Sequence, residues 1–247
     1  MPPVIRAASS TAKPAASKRK PQPKAAPAIE PDQAAGAPTR PLQRRRSPEE
    51  VQARIIAAAT HEFAEHGFAG ARIERISRQA RTVDRMLYYY FGNKERLYQA
   101  VFERSFAHMI AAERDFQVPG DDPSLGMSML IEHTWGHYVA HPELVRLLMN
   151  ENLMRGRQVR KSGVIRQVSL PLIERVDELL VMGRKAGIFR SGLDATWVLM
   201  SIMSMGFFYL SNQYTLSEWI RVDLSEPAQR ASWLAHVKAT ILASLKA

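Results

Sequence analysis

Three helical segments joined by connections of only a few residues leave this chain few possible folds. The first segment, "SPEEVQARIIAAATHEFAEHGF", opens with Ser47 and Glu50 at the spacing of a capping box, in which each side chain bonds the backbone N–H of the other residue. Pro48 occupies the first helical position, where its missing N–H costs nothing. Gly67 stands where a left-handed helix terminus is expected. The sequence therefore predicts a helix from Pro48 to about Gly67.

Two shorter helices follow the first one, with room between them only for a turn. They are predicted over about residues 73–80 and 84–91, with the turn at residues 81–83. A long fourth helix begins after Gly92, and Asn93 is suited to cap its N-terminus. Two short helices joined by a turn behind a longer helix form a helix-turn-helix, whose second short helix enters the major groove of DNA.

The remainder of the chain also has a helical pattern, because no strand-like alternation of apolar and polar residues occurs at any length. The predicted fold is all-α, with a three-helix unit over residues 47–97 and a larger helical body over residues 98–247. Breaks between the helices of the body are predicted at residues 119–124, 141–143, 161–163, 191–194 and 223–227. The last two helices are expected over about 194–210 and 225–247. The apolar run at 197–210 is too short to span a bilayer, so no membrane association is predicted.

Residues 1–46 differ in composition from the rest of the chain. Residues 1–47 hold nine prolines, eleven alanines, ten lysines and arginines and only two acids, which leaves 24 basic and 22 acidic residues in the other 200. Such a segment buries too little apolar surface to offset the entropy of ordering, so a disordered basic tail is predicted. Its prolines disfavour the amphipathic helix of a transit peptide.

The end of this tail is basic and lies just before the first helix. Arg44, Arg45 and Arg46 are placed to contact phosphates or an adjacent minor groove. A purely solubilising tail, or a start codon assigned too early, are the alternatives.

The segment "DRMLYYYF" carries the predicted contacts to DNA bases. Leu87 and Phe91 are four residues apart and should pack against the first helix, which turns Asp84, Arg85 and Tyr88 outward. Arginine can make two hydrogen bonds to guanine, aspartate can accept one from cytosine, and a methionine can touch the thymine methyl group. The predicted DNA-binding residues are Arg72, Thr82, Asp84, Arg85, Met86, Tyr88, Tyr90, Lys94, Arg44, Arg45 and Arg46.

The three consecutive tyrosines are assigned different roles. Tyr88 and Tyr90 are expected to lie along the groove wall with their hydroxyls donating to phosphate, whereas Tyr89 is expected mainly to pack. Lys94 should attract a phosphate at the start of the fourth helix. Ordinary amphipathic filler is the alternative for the tyrosines. It is disfavoured by the basic series on the two short helices, while the acids of the first helix are expected to lie elsewhere. That series is Arg72, Arg75, Arg78, Arg81 and Arg85.

Together these segments resemble the DNA-binding domain of the TetR/AcrR family of transcriptional regulators. The resemblance covers about residues 48–100 and rests on "FAEHGF", on Ile73 and Ile76, on the Leu87-Tyr88 pair and on "FGNKERL". It implies a homodimeric repressor of the bacterial cytoplasm and nucleoid, bound to a palindromic operator on double-stranded DNA and released by a small-molecule effector. No cofactor is implied.

The sequence departs from the family pattern around the turn. Arg81 stands where the family usually has glycine, so it must adopt a backbone conformation that costs about 1 kcal/mol. A small capping residue is usual near Val83, and Thr82 is expected to take over as N-cap of the third helix. The family usually has threonine at Ala71 and histidine at Tyr90. These changes leave the register of the base-contacting helix open by one residue.

The helical body is expected to form the dimer and to hold the effector. An apolar stripe in the last helix fits either a dimer interface or a core within one chain. It consists of Ala228, Ala231, Leu234, Val237, Ile241 and Leu245. Aromatic, amide and basic side chains in the middle helices predict a ligand pocket, with ordinary packing as the alternative for each. The predicted ligand-binding residues are Trp135, Tyr138, Met149, Asn150, Asn152, Arg155, Phe208 and Tyr214.

Other functional classes have less support. The chain has no cysteine, and His133 and His137, four residues apart, have no third ligand at a fixed spacing, so no metal site is predicted. Motifs of zinc proteases, serine hydrolases and nucleotide-binding loops are missing, which disfavours an enzyme. The remaining alternative is a sequence-independent or architectural DNA-binding protein whose tail gains affinity through counterion release.

Overall fold

The computed structural model of the protein describes residues 47–114 and 121–247, apart from the side chains of residues 110–114 and 164–169. Within these ranges the chain forms nine α-helices, a short 3-10 helix and no β-strand, which confirms the all-α prediction. The helices are α1 (Pro48–Gly70), α2 (Ile73–Gln79), α3 (Asp84–Phe91), α4 (Lys94–Arg114), α5 (Pro123–Ala140), α6 (Pro142–Leu153), α7 (Gly163–Lys185), α8 (Ala195–Ile220) and α9 (Pro227–Leu245). The predicted tail, with Arg44, Arg45 and Arg46, lies outside the described residues.

The predicted N-cap of α1 is present, whereas the predicted end at Gly67 is not, because the C-cap is Ala71. The Ser47 hydroxyl accepts from the backbone N–H of Glu50 at 3.2 Å. Gly67 adopts a left-handed φ of 63°, and its carbonyl accepts from the N–H of Ala71 at 3.1 Å. The helix therefore kinks at Gly67 rather than stopping there, since residues up to Gly70 continue in helical form.

The first core cluster lies among α1 to α4. Ile76 and Phe63 are fully buried and Leu87 is nearly so, as the spacing predicted. The cluster also contains Leu147 of α6, which is fully buried within it. The helix-turn-helix and part of the helical body thus share one core.

The rest of the core lies between the helices of the body. The inner face of α9, with Val237, Ile241 and Leu245, packs into a cluster with α5, α7 and α8. This half of the predicted apolar stripe is therefore a core within one chain, whereas Ala228 and Ala231 at the start of α9 are exposed.

Helix α8 is longer than predicted. The expected end near residue 210 is wrong, because α8 continues to Ile220. Residues 211–220 contain neither proline nor glycine. Their hydroxyl and amide side chains bond carbonyls of the preceding turn, for example Asn212 Nδ2 to the Phe208 carbonyl at 2.9 Å. No helix among the described residues is both long enough and apolar enough to cross a membrane.

Candidate DNA-binding interface

A buried carboxylate of α1 holds α2 in place. Glu62, only 4% exposed, accepts from the backbone N–H of Arg72 at 2.8 Å and from Arg75 Nε at 2.7 Å. Burial acts to raise the pKa of Glu62, but the bonds from Arg75 and Arg72 outweigh it and the pKa is lowered. The expectation that the acids of α1 lie away from the basic series is therefore wrong for Glu62, and Arg75 is engaged within the protein.

The turn between α2 and α3 is closed by different bonds from those predicted. Val83, not Thr82, is the N-cap of α3, and no side chain caps that end. The Thr82 N–H instead donates to the Ser77 carbonyl at 3.0 Å. The hydroxyl of Ser77 donates to the Asp84 carboxylate, so Asp84 is turned toward α2 rather than outward. This bond replaces the missing cap by fastening the first residue of α3 directly to α2.

Arg81 has the backbone conformation that the sequence required of it. Its φ of 52° is left-handed, a region that glycine adopts without steric cost. The side chain of Arg81 is exposed, as are those of Arg72 and Arg78. Three arginines of the basic series therefore face solvent around α2 and the turn.

Changing Arg81 to glycine should stabilise the protein by up to about 1 kcal/mol, because the left-handed strain is removed while the greater flexibility of glycine in the unfolded chain offsets part of the gain. Urea unfolding followed by circular dichroism measures this difference. Arg81→Ala is the matched control, since it also removes the charge but keeps the strain and should not stabilise. Equal stabilities of the two variants would contradict this account.

The outward face of α3 carries Arg85 with two tyrosines. Tyr88 is 51% exposed and Tyr89 is 77% exposed, and Arg85 is exposed beside them. Tyr90 packs partly against the first core cluster, and its ring lies 5.1 Å from that of Tyr89. The exposure expected of Tyr89 and Tyr90 is thus reversed, while their contacts with DNA stay predictions. The exposure of Tyr89 could have been predicted from the sequence, because position 89 follows position 85 by four residues and lies on the same helical face.

Two further predicted residues border this face. Met86 of α3 is half-buried. Lys94 begins α4 with its ammonium 5.0 Å from the centre of the Phe68 ring, and partial burial lowers its pKa. Asn93 caps α4 as predicted, because its side-chain oxygen accepts from the Arg96 N–H at 2.8 Å.

Helix α6 contacts the end of α1 that leads into the helix-turn-helix. Arg146 forms an ion pair with Glu65 of α1. Asn150 Nδ2 donates to the Phe63 carbonyl at 3.4 Å, and the amide lies directly against Gly67. Asn150, predicted to bind ligand, therefore lies at a contact between α6 and α1.

The segment after α6 reaches the first turn of α4. Lys161 Nζ and Gln158 Nε2 donate to Glu95 at 2.6 and 3.1 Å. Buried Glu151 at the end of α6 holds this segment by accepting from the Gln158 N–H at 2.6 Å. The hydrogen bonds from Lys161 and Gln158 lower the pKa of Glu95, and the bond from Lys161 has the larger effect. Helix α6 and the segment after it thus contact both helices that flank the helix-turn-helix.

The predicted ligand-binding residues are only partly brought together. Tyr138, Met149 and Tyr214 line a cleft of about 210 Å³ among α5, α6, α8 and α9, here named the α5–α8 cleft. Arg230 also lines this cleft and donates to Gln213 at 3.1 Å, a basic group that sequence reasoning missed.

The remaining predicted ligand-binding residues lie elsewhere. Trp135 is buried in the core against Tyr209. Asn152 and Arg155 are exposed beyond the α5–α8 cleft, and Phe208 is 55% exposed on the outer face of α8. Helical rotation places neighbours such as Met149 and Asn150 on different faces of α6, so the predicted residues do not form one site.

Comparisons with known proteins agree with this arrangement. Residues 55–101 match the family model for bacterial regulatory proteins of the tetR family, and residues 123–241 match a tetracyclin repressor-like C-terminal domain. The HTH-type transcriptional repressor NicS of Pseudomonas putida is 37% identical over 192 residues, which cover 78% of this chain and 91% of that protein.

Solved structures show the same fold. The Streptomyces coelicolor protein SCO4942 superimposes with a TM-score of 0.60 and 29% identity, over 77% of this chain and 97% of that one. The fatty acid degradation regulator FadR from Bacillus halodurans has a TM-score of 0.60 and 21% identity, over 81% and 97% of the two chains.

Proposed function

Because this chain belongs to the TetR family of bacterial transcriptional regulators, we propose that it is a homodimeric repressor that a small molecule releases from a palindromic operator. The observation that carries the proposal is the outward face of α3. Arg85, Tyr88 and Tyr89 lie exposed on a helix fixed to α2 through Ser77 and, beyond α2, to the buried Glu62 of α1. A side chain can distinguish bases only when the helix that carries it is held in one position.

The contacts to DNA divide into two kinds. Arg85 is the residue on this face that can bond guanine O6 and N7 together, and such contacts specify sequence. Arg72, Arg78 and Arg81 surround the face and neutralise phosphates, which positions the protein without reading sequence. Tyr88 and Tyr89 place their rings along the groove wall.

A second copy of the chain would cover the outer face of α8. Trp197, Phe208 and Trp219 are 66%, 55% and 81% exposed and follow one another at intervals of eleven residues, about three helical turns, so they form one line along the helix. Monomeric proteins rarely leave such a line of large apolar side chains in water. The exposed alanines Ala228 and Ala231 of α9 permit close approach of a partner helix. A symmetric dimer would present two copies of α3 to successive major grooves.

Release would depend on the two contacts that α6 makes. One face of α6 forms a wall of the α5–α8 cleft through Val145 and Met149, and another contacts α1 through Asn150. A ligand that fits the cleft better when α6 is displaced would favour a different spacing of the two α3 helices. A ligand that binds both arrangements equally would release nothing.

Arg85→Ala should lose discrimination at one base position of each half-site, at a cost of about 1–3 kcal/mol on the preferred sequence. Fluorescence anisotropy with single-substitution operator duplexes measures this. Arg78→Ala is the matched control, because loss of a phosphate contact should weaken binding about equally for every duplex and reduce its salt dependence. Uniform weakening in Arg85→Ala would assign Arg85 to the backbone instead.

The first test of the proposal is a selection of bound sequences from random duplex DNA at physiological salt, with the full chain and with residues 47–247. We expect a two-fold-symmetric consensus with both proteins. Binding without a consensus, or binding that disappears with the tail, would favour the alternative of a sequence-independent DNA-binding protein whose tail supplies the affinity.

A further inference from the structure

A second cleft, with a volume of about 410 Å³, lies where α1 and α4 meet α5 and the start of α6. It shares no lining residue with the α5–α8 cleft. Its polar lining consists of Thr60, His61, Arg104, Ser105, His108, His137, His141 and Glu143, and it is named the histidine cleft below. Four of the seven histidines of the chain therefore converge on one site from four helical segments.

The histidine cleft is lined by one cation, Arg104, and by imidazoles that can donate hydrogen bonds. Its one carboxylate, Glu143, lies 3.5 Å from His141 Nδ1. The rings of His137 and His141 are 4.5 Å apart. Burial, together with the charges of the neighbouring histidines, lowers the pKa of His137 to about 4. A carboxylate in the cleft would accept hydrogen bonds from imidazole N–H groups and from the Arg104 guanidinium.

The floor of the histidine cleft is apolar. Ile56 and Leu144 are buried beneath it, and Ala53 and Ala57 of α1 leave its side open because their side chains are short. A bare inorganic anion would leave this surface in water, whereas a carboxylate attached to a small apolar group would cover it. The volume is in the lower part of the range of about 300–1,000 Å³ that is usual for ligand sites.

A metal ion does not fit the histidine cleft. In the described part of the chain, no three histidine, aspartate or glutamate side chains lie close enough together to hold a metal ion. The imidazoles line the cleft without meeting at a single point, as coordination of a metal would require.

We propose that the histidine cleft binds a small organic acid, with its carboxylate among the histidines and Arg104 and its apolar part on Ile56 and Leu144. Such a ligand would contact α1 and α4, which flank the helix-turn-helix, and also α5 and α6 of the body. It would act as a second input to the protein, separate from an effector in the α5–α8 cleft. Binding of the acid to the histidine cleft does not depend on the proposed release mechanism and can be measured without DNA.

The test is isothermal titration of the full chain with benzoate, hexanoate and the neutral benzamide, which has the shape of benzoate without its charge. We expect saturable binding of at least one of the two acids, with one site per chain. Benzamide should bind at least about tenfold more weakly. Saturable binding of neither acid, or equal binding of benzoate and benzamide, would overturn the proposal.

Matched variants locate the site. Arg104→Gln combined with His108→Gln changes two exposed side chains of the histidine cleft, so the fold should be retained, and the affinity for the acid should fall at least about tenfold. Arg230→Gln makes the same change of charge in the α5–α8 cleft and should leave the affinity unaltered. The reverse pattern would assign the acid to the α5–α8 cleft and refute the proposal. Inorganic phosphate should bind more weakly than the acid, since equal binding would mean that the apolar floor contributes nothing.

Discussion

Replacing Gly183 with alanine should destabilise the protein by an amount near the top of the roughly 1–3 kcal/mol usual for an overpacked core. Gly183 is buried in α7 beneath the ring of Phe189, and an added methyl group would lie far inside the contact distance of three ring carbons. The ring cannot withdraw easily, because Phe189 is 3% exposed and its N–H donates to the Gly183 carbonyl at 3.1 Å. The neighbouring Arg190 N–H is also fixed, donating to the Leu245 carbonyl at 2.9 Å.

Gly136→Ala provides the matched control for this prediction. Gly136 lies at an exposed position within α5, and no atom lies within 4 Å of an added methyl group. The same substitution should therefore stabilise the protein there by about 0.5–1 kcal/mol, because alanine favours a helix more than glycine does. Urea unfolding of both variants gives the two values. Effects of the same sign would show that the Phe189 ring does not limit the space at Gly183.

Glu62→Ala should destabilise the protein by about 2 kcal/mol and weaken operator binding further. The substitution leaves the Arg72 N–H and the Arg75 guanidinium without their buried acceptor, and hydrogen bonds to a charged group contribute more than neutral ones. Since Glu62 fixes α2, its loss should also loosen α3. Urea unfolding and operator titration measure the two effects. Glu74→Ala, an exposed charge change on α2 itself, is the control and should be nearly neutral in stability.

The stabilisation by Glu62 should depend on pH in a defined direction. Its pKa in the folded protein lies below the ordinary value of 4.5. The contribution of its charge is therefore fully present above about pH 4.5 and is lost as the pH falls through the lowered pKa. The stability difference between the protein and Glu62→Ala should shrink on acidification below that pH. A difference that stays constant from pH 7 to pH 3.5 would mean that packing of the side chain, not its charge, is responsible.

The recognition helix illustrates how far the sequence could lead. The bounds of α3, the buried position of Leu87 and the left-handed backbone of Arg81 all follow from local spacing and steric preference. The relative exposure of Tyr89 and Tyr90 did not follow, because a helical pattern identifies an apolar face without saying how far the neighbouring helices cover its edges. The DNA-binding roles of these residues remain predictions of the proposed function.

The ligand region was less predictable for the same reason. Residues with suitable chemistry cluster in the sequence around positions 149–155, yet Met149 lines the α5–α8 cleft and Asn150 contacts α1. The sequence indicated only part of the histidine cleft. Of its four histidines only His137 entered the sequence analysis, and the others come from α1, α4 and the start of α6.

By itself, the sequence determined the helical class, the caps at Ser47 and Asn93, and the resemblance that identifies the family. These depend on contacts within about four residues, which propensity and spacing describe. Only the tertiary structure decided that Glu62 faces α2, that α6 bonds to α1 across 87 positions, and that four distant histidines share one cleft. Such contacts depend on which helical faces meet, and that is set by packing of the whole core rather than by any local pattern.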